Sequence, residues 1–300
     1  MKRVFKWIGI VLGGLVGFLL LTAVVLHFVG LSRLNNAPEV ATKPVSVPTD
    51  AAALARGEHL VNVVSPCGMC HGENLGGQVF FDGEVGSYVF AANLTAGAGG
   101  VGATFSDADW ERAIRHGVGG DGRVLVIMPS NFYQHLSDAD LGALIAYLKA
   151  APPVDNDLGV RRIGFPGSIM GGTIGFNDFT RINGIDHANV GAKSATEGAT
   201  AAYGEYLVNI ALCGECHAAN LAGILGEDGP PPGPNLTPGG DLGDWTEADF
   251  MAAIRTGQTP NGRSLDPEMM PWPTFSQMSD TELQAIWTYL QSLPALPDNP

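Results

Sequence analysis

Cys67-Gly68-Met69-Cys70-His71 returns 146 residues later as Cys213-Gly214-Glu215-Cys216-His217, and the rest of the chain repeats around these two stretches. Upstream, Arg56-Gly57-Glu58-His59-Leu60-Val61-Asn62 matches Tyr203-Gly204-Glu205-Tyr206-Leu207-Val208-Asn209. Downstream, Asn93-Leu94-Thr95 matches Asn235-Leu236-Thr237, and Ser106-Asp107-Ala108-Asp109-Trp110 matches Thr246-Glu247-Ala248-Asp249-Phe250. Gly122-Arg123 pairs with Gly262-Arg263, and Met128-Pro129 with Met270-Pro271. Ser137 to Leu148 matches Ser279 to Leu290. One unit of about 100 residues, the size of a small domain, therefore occurs twice. The boundaries expected are an anchor at 1–34, a tether at 35–50, repeats at 51–152 and 196–300, and an interdomain segment at 153–195.

Each repeat reads as short helices joined by loops. Ser106-x-x-Asp109 and Thr246-x-x-Asp249 are acidic capping boxes that open one helix, and Ser137-x-x-Asp140 and Ser279-x-x-Glu282 open the last. In that last helix Leu141, Leu144, Ile145 and Leu148 recur at helical spacing, as do Leu283, Ile286, Trp287 and Leu290, so one face is apolar. Helices this short depend on what they pack against. With 41 Gly and 20 Pro interrupting the chain, a large buried ligand would supply part of each core.

A CxxCH run is a c-type haem attachment signal. Two thiols one helical turn apart reach both vinyl groups of a porphyrin, and the adjacent histidine projects onto the iron. A redox dithiol is the first alternative, but it belongs near a βαβ pattern that is absent. Four-thiolate zinc is the second, but such pairs lie about 15–20 residues apart. The reading is two covalent haems, with Cys67, Cys70 and His71 holding one and Cys213, Cys216 and His217 the other.

The sixth ligand separates electron transfer from chemistry, because a thioether fills the iron and raises its potential. Met128 follows His71 by 57 residues and Met270 follows His217 by 53. Both precede proline and stand nine residues before the last capping box. A buried methionine is ordinarily core packing; two at matched places after two haem motifs are read as the axial ligands. Met269 competes with Met270, but the following proline aligns Met270. Met251 and Met278 are read as core.

These motifs together resemble the class I cytochrome c fold in tandem, and are similar to the cytochrome c subunits of membrane-bound periplasmic dehydrogenases. The resemblance covers about two-thirds of the chain. It implies an all-α architecture of two haem domains behind a transmembrane helix, and a proline-region carbonyl that orients each proximal histidine. Copy two has Pro230-Pro231-Pro232-Gly233-Pro234 for this, whereas copy one has no proline near Asn93. Such subunits often carry three haems and a C-terminal attachment, against two haem motifs and an N-terminal span here. Arg123 and Arg263 are candidate partners for haem propionates, since a guanidinium suits a carboxylate. Trp110 and Phe250 are expected to pack in the core, against the haem or the last helix. His59, His116, His135 and His187 fall outside ligand spacing.

Charge and hydropathy bound the setting. Trp7 to Leu31 is uncharged over 25 residues, about 37 Å as a helix, enough to cross a bilayer. Lys2, Arg3 and Lys6 precede it and only Arg33 follows closely, so the positive-inside rule puts the haem domains outside, on the periplasmic side of the inner membrane. Leu31-Ser32-Arg33 offers no cleavage site. The net charge of −14 argues against nucleic acid, and four cysteines are too few for a disulfide scaffold. Residues 196–300 hold fourteen acids and two bases, which serves solubility or steers a basic partner.

Two functions compete. The first is a relay of electrons between a donor and an acceptor redox protein, the donor a dehydrogenase subunit, with no catalytic residue in this chain. The second is a dihaem enzyme of the peroxidase or thiosulfate-oxidising type, which needs an open or altered axial position. The two Met-Pro pairs and the absence of a fifth cysteine favour the relay.

Overall fold

The computed structural model describes residues 2–191, 195–224 and 233–299. Helix α1 (Lys2–Asn35) contains an eighteen-residue window of mean hydropathy 2.6, long and apolar enough to cross a membrane. It is exposed along most of its length and becomes buried only near its C-terminal end, at Gly30 and Leu34. Residues 35–50 are not a loose tether. The Ala37 N–H donates to the Gly122 carbonyl (3.0 Å), Lys43 reaches the Val190 carbonyl (2.8 Å), and Val45 and Val47 pack on the core. The apolar side chains of this Pro-rich stretch cover the first repeat.

The first repeat comprises α2 (Ala51–His59), α3 (Gly68–His71), α4 (Asp107–His116), α5 (Ser130–Tyr133) and α6 (Asp138–Ala150). Asp50 caps α2, which runs on into a π-helical turn over Leu60–Val64. The interdomain segment holds α7 (Gly167–Ile169) and α8 (Phe176–Thr180). The second repeat comprises α9 (Ala201–Ile210), α10 (Cys213–Cys216), α11 (Glu247–Thr256), α12 (Trp272–Phe275) and α13 (Asp280–Ser292). The fold is mainly helical, as expected, with one addition: a small antiparallel sheet of β1 (Gln78–Asp82), β2 (Ser87–Ala91) and β3 (Arg162–Ile163). A bulge between Val79 and Phe81 breaks the alternation that would have marked β1 as a strand.

The repeated glycine has a packing role. At Gly57 a Cβ would collide with the Ala143 carbonyl of α6, and at Gly204 with the Ala285 carbonyl of α13. The first and last helices of each repeat thus cross at backbone contact. Reciprocal capping boxes form at Ser106/Asp109, Thr246/Asp249 and Ser279/Glu282. At Ser137 only half of the expected box forms, because the Asp140 carboxylate is taken elsewhere. Arg56 binds it with two hydrogen bonds (2.9 and 3.0 Å), and the Tyr206 hydroxyl donates to it (2.6 Å).

That diversion belongs to the contact between the repeats. Arg56 and His59 of the first repeat meet Glu282 of the second at 3.3 and 2.9 Å, while Tyr206 of the second meets Asp140 of the first. Arg56, His59 and Asp140 occupy the repeat positions of Tyr203, Tyr206 and Glu282, so the interface follows an approximate two-fold axis. Ser65 also donates to the Ile210 carbonyl (2.8 Å). One continuous buried cluster runs from Leu60 and Trp110 through Tyr203 and Leu207 to Leu290. The independent cores suggested by the duplication are joined, because α9 packs against α5 and α12 against the Leu60–Val64 turn.

Candidate functional site

Both CxxCH runs fold as a single helical turn, with the histidine N–H bonded to the carbonyl of the first cysteine (2.8 Å for His71, 3.0 Å for His217). All four cysteines are free. Burial, with repulsion from the second thiol of each pair, pushes Cys67 and Cys213 up to about 12.

The histidines are held alike. Nδ1 of His71 donates to the Ala92 carbonyl and Nδ1 of His217 to the Pro234 carbonyl, both at 2.7 Å. This fixes the tautomer and leaves each Nε2 as a lone-pair donor. Burial lowers both pKa values, which keeps the rings neutral and fit to bind iron. The contact expected from a proline-region carbonyl is therefore made in both repeats, and in the first an alanine supplies it. A backbone carbonyl is all the contact requires. Of the expected proline run, Pro230–Pro232 lie outside the described residues. Gly233 is needed for close approach, because a Cβ there would come within 2.8 Å of His217 Nδ1.

The Asn-Leu-Thr pairs explain how those carbonyls are positioned. Asn93 Oδ1 accepts from the Thr95 N–H (2.9 Å) and hydroxyl (2.8 Å), and its Nδ2 donates to the Val154 carbonyl (2.7 Å). Asn235 does the same with Thr237 and the Leu296 carbonyl (2.9, 2.7 and 2.8 Å). Each motif ties the loop that bears the histidine's acceptor to the chain leaving the last helix.

In the first repeat a cavity of about 460 Å³ opens on His71, within the range of cofactor sites. Its walls carry Cys67, Cys70, Met128, Trp110, Ile114 and Leu144. The structure thus brings Met128 to the cavity of His71. Ile127, just ahead of it, is a β-branched residue at φ +69°, a strained conformation that its N–H bond to the Phe179 carbonyl (2.6 Å) maintains.

At the cavity rim Arg123 binds Asp121 (Nε to Oδ2, 2.6 Å). Arg161 lies beside it, anchored to the Val124 and Leu34 carbonyls (2.6 and 3.0 Å). Burial, then repulsion from Arg123, brings Arg161 down to about 10. Two guanidiniums against one carboxylate leave positive charge at the rim. Trp110 Nε1, expected only as core, is a buried donor on this wall with no partner among the described residues. A flat apolar group with two acidic tails and an iron between His71 and Met128 matches this lining. Arg161 lies outside the repeat, so its role had no signal in the duplication.

In the second repeat Met270 is half-buried against the core, whereas Met269 is 45% exposed. Arg263 is exposed, with no carboxylate partner among the described residues. Phe250 and Met278 are core, as expected. His59 and His116 also have packing roles. His116 is fully buried with its ring stacked on His187, which docks the interdomain segment on α4.

The family model described as cytochrome C oxidase, cbb3-type, subunit III, matches residues 52–148 and 199–290. The chain belongs to this cytochrome c family. Membership implies covalently bound haem c. The chain is 29% identical over 300 residues to the fructose dehydrogenase cytochrome subunit of Gluconobacter japonicus, covering 92% of this chain and 60% of that one. It is 27% identical over 277 residues to the cytochrome c subunit of the quinone alcohol dehydrogenase of Gluconobacter oxydans, with 83% and 56% covered. A diheme cytochrome c-type protein of Cereibacter sphaeroides is 29% identical over 206 residues, with 63% and 66% covered. The chain thus spans about three-fifths of the length of the two dehydrogenase subunits.

Proposed function

We propose that this cytochrome c is a two-haem electron relay, anchored by α1, between a periplasmic dehydrogenase and a respiratory acceptor. Haem c supplies a reversible one-electron change at its iron. His71 with Met128, and His217 with Met270, would hold the irons from both sides, and the cysteine pairs would hold the porphyrin edges. Arg123, Arg161 and Trp110 would take the propionates of the first haem, and Arg263 those of the second. With both axial places filled by side chains, the chain offers no open position for substrate chemistry. The donor follows from the relatives, which are cytochrome subunits of dehydrogenases, and the periplasmic face follows from Lys2, Arg3 and Lys6 ahead of the span.

The observation that carries this reading is the contact of the second CxxCH turn with the first repeat and the interdomain segment. Leu212, the residue before Cys213, is part of the wall of the first cavity. The Phe132 ring lies so close to Gly214 that a Cβ would come within 3.1 Å. Arg181 of the interdomain segment forms a salt bridge with Glu215 inside the second CxxCH. One packed body therefore seats the second CxxCH turn against the first repeat.

Intact mass together with visible and near-infrared spectra of the purified full chain tests the proposal. Two covalent haems and a long-wavelength Met–Fe(III) band with the intensity of two bonds are expected. High-spin bands at either iron, or a single haem, would overturn it.

A further inference from the structure

Residues 163–176 (IGFPGSIMGGTIGF) form a fourteen-residue uncharged run bounded by Arg161-Arg162 and Asp178. Apolar runs of this length are too short to span a bilayer and suit interfacial segments. The run follows the outer end of α1 in step with it. His27 Nδ1 lies 2.6 Å from the Ser168 hydroxyl, and its ring stands edge-on to Phe165 with centroids 6.3 Å apart. Gly30 meets the backbone of Ser168 and Gly172, where a Cβ on either glycine would collide. Arg33 donates to the Gly172 carbonyl (3.2 Å) and stacks on the Phe176 ring at 3.8 Å. Small residues at the crossing are how helices approach closely at membrane depth.

On the other side the run presents apolar side chains to the outside. Phe165 is 60% exposed, Met170 46% and Ile174 81%. Twenty residues counted from Trp7 make about 30 Å of helix, so the hydrocarbon core would end near Leu26. Phe165, level with His27, then stands at the acyl boundary. Arg33, six residues further, lies about 9 Å higher, within the depth of about 5–10 Å over which interfacial helices bury their apolar face.

We propose that residues 163–176 insert into the outer-leaflet interface of the bilayer beside α1, with Phe165 at the acyl boundary, Met170 and Ile174 turned into the interface above it, and Arg33 and Arg162 at the headgroup phosphates. The inference rests on the reading of α1 as a membrane anchor. The residues on either side of the run clamp the first haem cavity, since the Phe179 carbonyl holds Ile127 and Arg161 holds the rim. Insertion therefore sets the distance of the first site from the membrane surface and fixes its orientation.

Nitroxide labels on full-length haem-loaded protein in nanodiscs of phosphatidylcholine and phosphatidylglycerol test this. Labels placed by Ile174→Cys and Phe165→Cys should collide more with oxygen, which partitions into lipid, than with a water-soluble nickel chelate. A label from Gln277→Cys, exposed in the second repeat, should show the reverse. Preference for nickel at 174 and 165, or low collision with both reagents as a protein partner would give, overturns the proposal. A label from Leu20→Cys separates the two ideas. Oxygen preference there with nickel preference at 174 defeats the insertion alone, whereas nickel preference at Leu20 defeats the anchor.

Discussion

Protonating a single carboxylate should loosen the contact between the repeats. Glu282 is 2% exposed. Burial alone would raise its pKa, but hydrogen bonds from His59 and the Ser279 N–H, with Arg56 nearby, lower it from 4.5 to about 2. A depression of that size corresponds to about 3 kcal/mol. Because the folded value lies below the unfolded one, the stabilisation is fully present above about pH 4.5 and is lost as the pH falls towards 2. By pH 3 about 2 kcal/mol of it should be gone. Glu282→Gln carries no charge at any pH. At pH 7 it should therefore be less stable than the parent by about 2–3 kcal/mol, the worth of hydrogen bonds to a buried charge. The gap should narrow to about 1 kcal/mol at pH 3. Urea unfolding of both full-length proteins in the same detergent, followed by far-ultraviolet circular dichroism at several pH values, measures the gap. If it is as wide at pH 3 as at pH 7, Glu282 does not carry the pH dependence and the argument fails.

Met128→Ala and Met270→Ala should each remove half of the long-wavelength Met–Fe(III) absorbance and lower one of two reduction potentials; a variant that leaves the band intact shows its methionine is not a ligand. Asn93→Ala strands the buried Thr95 N–H and removes the shorter of two donors to the Val154 carbonyl, and should cost about 1–3 kcal/mol in urea titrations. Gly204→Ala drives a Cβ into the Ala285 carbonyl and should cost about 1–3 kcal/mol, whereas Gly17→Ala, with nothing within 4 Å, should leave the melting temperature unchanged.

The features legible in the sequence are those whose physics is local. A CxxCH turn, a Ser-x-x-Asp cap and an uncharged run of twenty-five residues each carry their reason within a few positions. The Met128–His71 match was visible only because duplication displayed the same spacing twice. Partners far apart in the chain were not legible. Asp140 looked like the end of a capping box, and nothing nearby announced that Arg56, 84 residues earlier, would take its carboxylate. Arg161 escaped because it lies between the repeats, where no second copy draws attention to it. Trp110 was recognised as buried, but which atom would face the cavity depends on how Phe105 turns its ring, with centroids 5.3 Å apart and edge to face.

The same asymmetry between the repeats should order their potentials. Reduction adds an electron to the iron, so a cationic, water-poor surrounding favours the reduced form and an anionic one the oxidised form. Among the described residues lining the first site, Arg123 and Arg161 face one carboxylate, Asp121, and the interdomain segment closes over the Met128 loop. Along residues 196–300 fourteen acids stand against two bases, compared with ten against five along residues 51–152, and Arg181, which the interdomain segment brings to the second CxxCH, is spent on Glu215. The first site, nearer α1, should therefore have the higher potential, and electrons should run from the distal repeat towards the membrane. Arg161→Gln keeps a donor to the Val124 carbonyl while removing the charge, so in a spectroelectrochemical titration it should lower the upper of the two steps and leave the lower one in place. A shift confined to the lower step would reverse the order and, with it, the direction of flow.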